Sequence, residues 1–229
     1  IEIPNPFFPD KPSRFLDWRA NGWVDFHSAL ARSSNIYFYA IGGGCSARIC
    51  ETRPAANIKG LGIDRLQDYL RQFGIGQPTG VDLEGEAAGI LPDPEKKEQR
   101  TGQIWRLGDT YNVSIGQGDL AMTPVRLLTI IASLANNGKM YRPFLVKKII
   151  GPNEEVIEDH QPEEIFDYSD WQEEIKEVQK GMRDAVAQPY GTANKLYDLP
   201  YRTAGKTGSA QIANNTKTNA FFVGYGPYD

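Results

Sequence analysis

Cysteine and histidine are scarce, with two of each in 229 residues. Cys45 and Cys50 are separated by four residues and suit either a small disulfide loop or two free thiols. A zinc cluster needs a second ligand pair, and the only histidines, His27 and His160, do not supply one, so no metal is expected. Long apolar runs are missing too. The longest, LLTIIASLA from Leu127 to Ala135, falls well short of the roughly 18–20 residues that cross a bilayer and suits a buried helix. There is no excess of positive charge. The net charge of −4 excludes the basic footprint of a nucleic-acid binder. The start, IEIPNPFFPDKP, lacks the charged-then-apolar order of a signal peptide, so any targeting segment is expected outside these residues.

What is present is ordinary globular composition, 40% hydrophobic and 24% charged. Residues 1–23 are rich in proline and aromatics and read as an irregular, extended lead-in. VDFHSALARSSNIYFYAIGGG begins with Asp25 as an N-cap and repeats apolar residues at helical spacing. It breaks at ArgSerSerAsn, resumes, and stops at a glycine triplet: helix, polar break, helix. Residues 44–60 read as a loop. IDRLQDYLRQFG is an amphipathic helix stopped by Gly74. GQPTGVDLEGEAAGILPDPE is turn-rich with short extended pieces, and YNVSI reads as a poor strand. Thr123 and Pro124 open a further helix, which Asn137-Gly138 stops. FLVKKIIGPNEEVIED has the form strand, turn, strand. SDWQEEIKEVQKGMRDAVA is a long helix capped by Ser169 or Asp170. Two strand-like runs, around 203–212 and 219–225, close the chain. Helices outnumber strands and the strands come late, which predicts an α+β fold: a helical body with a small antiparallel sheet.

Three motifs carry candidate chemistry. GQGDLA, Gly116 to Ala121, has the loose G-x-G-x-x-A form. It lacks the buried strand before it and the acidic residue about 20 positions on that a dinucleotide site requires. No cofactor is expected. Ser33-x-Asn35 places a hydroxyl and an amide on one turn; the plain alternative is an N-cap by Ser33 or Ser34. Lys206-Thr207-Gly208-Ser209 puts a cation, two hydroxyls and a bare backbone on a strand. That is a grip for a small anionic, carbonyl-bearing ligand; a surface lysine on a hairpin is the plain alternative.

Together the last two match, in order, the second and third elements of the S-x-x-K, S-D-N, K-T-G set found in penicillin-binding proteins and serine β-lactamases. The resemblance extends to GLGIDRLQDYLRQFGIGQPTGVDLEGEAAGILPDPE, GDTYNVSIGQGDLAMTPVRL, NNGKMYRPFLVKKI and AGKTGSAQ. Over nearly its whole length the chain resembles the transpeptidase domain of class B penicillin-binding proteins of the cell-elongation type, which makes GQGDLA family scaffold. The resemblance implies a penicillin-binding protein/serine β-lactamase-like fold and a D,D-transpeptidase that cross-links peptidoglycan stem peptides through a serine acyl-enzyme and is blocked by β-lactams. It implies that Ser33 relays a proton, that Asn35 binds the substrate amide and helps fix the catalytic lysine, and that Lys206 supplies positive potential. Thr207 and Ser209 would bind the substrate carboxylate, the Ser209 N–H would form half of the oxyanion hole, and Gly208 would leave room for the substrate.

The chain departs from the family pattern at the nucleophile. None of its serines, at 13, 28, 33, 34, 46, 114, 133, 169 and 209, is followed three residues later by lysine. Thr192-Ala-Asn-Lys195 and Thr203-Ala-Gly-Lys206 have the spacing, with threonine and in the wrong place. Residues 1–229 are therefore expected to be part of one transpeptidase domain, incomplete at both ends and inactive alone. Its parent is expected on the extracytoplasmic face of the membrane, anchored by an N-terminal transmembrane helix, with a glycosyltransferase and elongation-complex proteins as partners. An unpaired sheet edge beside Lys206 to Gln211 predicts self-association. The alternatives are a non-catalytic scaffold module and a β-lactamase or β-lactam sensor. The last needs a deacylating acid, and Glu84 and Glu86 instead resemble scaffold.

Overall fold

The computed structural model of the protein describes residues 1–5, 7–8, 10–46, 57–212 and 216–228. Seven α-helices are present among them: α1 (Phe26–Arg32), α2 (Asn35–Gly43), α3 (Gly62–Gln72), α4 (Pro94–Thr101), α5 (Leu107–Ser114), α6 (Pro124–Ala135) and α7 (Gln172–Ala187). Eight strands among the described residues form four antiparallel pairs. β1 (Glu2–Ile3) pairs with β2 (Ser13–Arg14), and β3 (Lys139–Tyr141) with β6 (Glu164–Asp167). β4 (Lys148–Ile150) pairs with β5 (Val156–Asp159), and β7 (Ala204–Ile212) with β8 (Lys217–Tyr225). The α+β expectation holds, with one correction: the single small sheet is four separate two-stranded pieces.

Local chemistry sets the helix ends. The Asp25 carboxylate accepts from the Ser28 N–H (2.8 Å) while Ser28 Oγ accepts from the Asp25 N–H (2.9 Å), a reciprocal cap that starts α1. Thr123 and Pro124 open α6 as expected, and Asn137 and Gly138 follow its end in positive-φ conformations. The long helix differs: a 3-10 turn over Ser169–Trp171 leads into α7, and no side chain caps it. α5 is a helix where the sequence suggested a poor strand, and α4 follows the turn-rich stretch over residues that gave no signal. α4 starts at Asp93, whose carboxylate accepts from the Lys96 N–H, but PEKKEQRT has no apolar stripe to announce it. α5 is held from outside. Asp109 accepts from the Arg106 N–H, and the fully buried Tyr111 donates to Gly44 O at 2.8 Å.

The glycine triplet explains that packing. A Cβ on Gly43 would lie 2.3 Å from the Tyr111 ring, so only glycine lets α2 approach α5 this closely. Arg126, almost fully buried on α6, donates to Gln77 O and Pro78 O. Glu86 accepts from Thr79 N, Thr79 Oγ1 and Gly80 N, so these two residues organise the turn-rich stretch, and Glu86 is occupied as scaffold. Cys45 is disulfide-bonded rather than a free thiol, and Cys50, with the expected small loop, lies outside the described residues.

The core piece that matters for the site contains Ile131 of α6, Met182 of α7 and Ala204 of β7, with Leu30 of α1 and Val223 of β8 against them. It seats β7 beside the end of α1.

Candidate active site

The two sequence motifs meet. α1 ends at Ser33, which adopts a left-handed conformation (φ 55°, ψ 47°), and α2 begins two residues later. Ser34 does the capping: its Oγ accepts from the Tyr37 N–H at 3.4 Å. That leaves the Ser33 hydroxyl free to face β7, where Lys206 Nζ lies 2.7 Å from Ser33 Oγ and 2.6 Å from Thr207 O. Burial pushes the Lys206 amine down to about 8, because the surroundings solvate its charge poorly. Lys206 makes these contacts rather than one to Thr203, whose hydroxyl is buried next to the strand.

The edge of β7 faces the same space. In the register Thr207 is opposite Phe222 and Ser209 opposite Ala220. Thr207 O accepts from Lys206 Nζ, and Ser209 O from Gln117 Nε2 at 3.2 Å. Alternate residues of an antiparallel strand turn N–H and C=O to the same edge, so both residues present their backbone groups away from β8. The Ser209 N–H therefore points to the edge of β7 away from β8. Gly208 has open space on its side-chain face; an added Cβ would meet only Phe221 Cβ, at 3.6 Å.

The other expected site residues are nearby but engaged. Asn35 lines the cleft, and its Nδ2 donates to Leu16 O at 3.4 Å rather than to a group on Lys206. The Thr207 hydroxyl meets Thr192 Oγ1 at 2.7 Å. Thr192, notable in the sequence only for its spacing to Lys195, ties that hydroxyl back to α1 by donating to Ala31 O from both its N–H and its Oγ1. Ser209 is exposed.

The cleft is about 220 Å³ and is lined by Leu30, Ser33, Asn35, Phe38, Ser114 and Lys206 among others. A larger cavity of about 450 Å³ lies on the far side of the Ser33–Asn35 turn, lined mainly by apolar groups such as Ile36, Ala40 and Ile41. The smaller one holds the hydroxyl, the carboxamide and the depressed lysine, and is the chemically equipped site.

Sequence reasoning missed three further groups here. Gln117 belongs to GQGDLA, read only as family scaffold, yet it reaches the K-T-G strand. Asp17 and Trp18 sat in the irregular lead-in. Asp17 accepts from Ser34 Oγ (2.6 Å) and the Asn35 N–H (3.0 Å), and Trp18 Nε1 donates to Arg32 O and Ser33 O, both at 3.1 Å. No periodic or spacing signal marks either residue.

A helical body presenting a serine turn to a lysine-bearing strand edge defines the fold class of penicillin-recognising serine enzymes. The model of the penicillin binding protein transpeptidase domain matches residues 5–229, and the chain belongs to that family. It is 35% identical to the peptidoglycan D,D-transpeptidase MrdA of Haemophilus influenzae over 96% of this chain and 34% of that relative. Among solved structures it resembles Pseudomonas aeruginosa PBP2 in complex with WCK 5153, with a TM-score of 0.72, 34% identity, and coverage of 95% of this chain and 44% of that one. It also resembles PBP2 of Helicobacter pylori in complex with MreC, with a TM-score of 0.72, 27% identity, and coverage of 99% and 38%. The domain is of the PBP2/MrdA type. The chain spans about a third of the length of the curated relatives it matches. Among the described residues no helix is long and apolar enough to cross a membrane.

Proposed function

We propose that residues 1–229 form two walls of the site of a peptidoglycan D,D-transpeptidase of the cell-elongation type. The observation that carries this reading is the 2.7 Å contact between Ser33 Oγ and Lys206 Nζ, which joins motifs 173 residues apart beside a free strand edge. The nucleophile is a serine of an S-x-x-K segment outside these residues. It attacks the carbonyl of the penultimate D-alanine, the D-Ala–D-Ala amide bond breaks, and D-alanine leaves with the proton. An amine of a neighbouring stem peptide then displaces the serine from the ester and forms the cross-link, so one difficult exchange becomes two easier ones.

Each wall has a role. Lys206, with a pKa of about 8, is mostly charged at neutral pH and draws the terminal carboxylate, which Thr207 and Ser209 also bind. Ser33 accepts a hydrogen bond from Lys206 and passes its own proton toward the leaving nitrogen. Asn35 holds the substrate amide and helps fix the S-x-x-K lysine. The Ser209 N–H is one of two oxyanion donors; losing such a donor costs about 10²–10³ in rate. Gly208 lets the substrate lie against the strand. The parent protein would sit on the extracytoplasmic face of the membrane, held by an N-terminal helix, with glycosyltransferase and elongation-complex partners.

The test is labelling by a fluorescent penicillin in the polypeptide that carries both this domain and an S-x-x-K segment. Lys206→Ala and Ser33→Ala are expected to slow acylation at least 100-fold. Unchanged rates would refute the assignment. A second reading has its own observation: a serine 2.7 Å from a lysine of lowered pKa is also how a serine nucleophile is activated. It makes Ser33 the attacking group, and it predicts an adduct on residues 1–229 alone.

A further inference from the structure

We propose that Asp17 and Trp18 are positioning residues: they clamp the α1–α2 junction from the side opposite the cleft and so hold the Ser33 hydroxyl against Lys206. The two side chains are chemically matched to the two helix ends they grip. α1 finishes with unsatisfied carbonyls, and the Trp18 indole N–H donates to two of them, Arg32 O and Ser33 O, at 3.1 Å each. α2 starts with unsatisfied N–H groups and a positive dipole end, and the Asp17 carboxylate accepts from the Asn35 N–H at 3.0 Å. Its other oxygen accepts from Ser34 Oγ at 2.6 Å, the hydroxyl that caps the same helix.

The junction needs an external hold. Ser33 is a non-glycine residue at φ 55°, a left-handed conformation that is strained for an L side chain. The turn keeps that geometry only while its surroundings over-determine it. The clamp is itself anchored. The Arg19 guanidinium lies 4.4 Å from the centre of the Trp18 ring and donates to Tyr190 O at 3.0 Å. On the other side, the Phe15 ring packs edge-on against Tyr39 and the buried Tyr111. Neither Asp17 nor Trp18 touches Lys206; they act through the backbone of the turn.

The catalytic consequence rests on the transpeptidase reading, but the geometric claim does not, and the test is read on Lys206 itself, in the polypeptide that carries this domain and an S-x-x-K segment. Lys206 is followed by ¹³Cε NMR across pH 6–12 in the wild type and in Asp17→Ala, Asp17→Asn and Trp18→Phe, each checked for folding by circular dichroism. The wild type is expected to titrate near 8. In Asp17→Ala the loosened turn admits water to the amine, and the midpoint moves up by at least one pH unit toward the ordinary 10.5. Trp18→Phe keeps an aromatic ring but removes the indole N–H together with the second ring, and shifts it the same way. Asp17→Asn keeps an acceptor for the Asn35 N–H and recovers at least half of the difference. A change in overall stability alone would leave the folded-state midpoint where it is. Should Asp17→Ala not fold, Trp18→Phe decides. Folded variants that titrate like the wild type overturn the clamp and leave the transpeptidase reading intact. Penicillin labelling that is unchanged in Lys206→Ala and Ser33→Ala would strike that reading and leave the clamp.

Discussion

Replacing Lys206 by methionine should stabilise the protein at neutral pH, although it removes the cation at the centre of the site. Lys206 titrates at about 8 in the fold against an ordinary 10.5, and the cause is burial. At about 1.36 kcal/mol per pH unit, keeping that charge in place costs the folded state about 3 kcal/mol. Methionine fills similar space without the charge. It forfeits the contacts to Ser33 Oγ and Thr207 O, which together offset about 1–2 kcal/mol. The net gain at pH 7 is about 1–2 kcal/mol, or a few degrees in Tm for a chain of this size. The sign has a pH signature. The folded pKa lies below the unfolded one, so between pH 8 and 10.5 the unfolded chain binds more protons and wild-type stability rises relative to the variant. Urea unfolding at pH 7, 9 and 10.5 should show the advantage of Lys206→Met at its largest at pH 7 and gone by 10.5. A difference that stays constant over this range, or a variant that is less stable at pH 7, would refute the claim that burial is what depresses this lysine.

Other perturbations follow from the packing. Gly43→Ala drives a methyl group to 2.3 Å from a buried tyrosine ring and should destabilise by about 3 kcal/mol, read by urea unfolding; a loss under 1 kcal/mol would mean α2 and α5 have slack. Glu86→Gln should flatten the acid limb of the stability curve. Burial raises the Glu86 pKa, but hydrogen bonds from Thr79 and Gly80 outweigh it and hold the value below the ordinary 4.5, so its stabilisation is present above that pH and fades as pH falls. Identical acid limbs for the variant and the wild type would contradict this. Among the described residues no third strand pairs with the β7–β8 hairpin, and we expect concentration-dependent dimers in light scattering. A clean monomer at high concentration would count against strand pairing.

How much of this could be read in the sequence depended on whether the signal was local. The Asp25 cap, the Thr123-Pro124 start and the polar break at Ser33–Asn35 are decided within four residues, and each appears where the letters put it. The K-T-G strand was legible for the same reason. α5 was not, because LGDTYNVS becomes a helix through Asp109 and through the burial of Tyr111 against Gly43, a partner far away in sequence. α4 lacks any apolar stripe. The expected cap at Ser169 or Asp170 failed because the chain enters α7 through a tighter 3-10 turn. The site divides in the same way. Ser33, Asn35 and Lys206 stood out as motifs, but their meeting is tertiary. Asp17, Trp18, Thr192 and Gln117 carry ordinary letters in ordinary places, and only the fold brings them to the turn and the strand edge.

The most direct test of the central claim is the intact mass of this 229-residue chain after incubation with a β-lactam. With the S-x-N and K-T-G walls present but no S-x-x-K serine, the mass should not change. A stoichiometric adduct would contradict the account and place the nucleophile within these residues, with Ser33, in contact with Lys206, the first to be mapped.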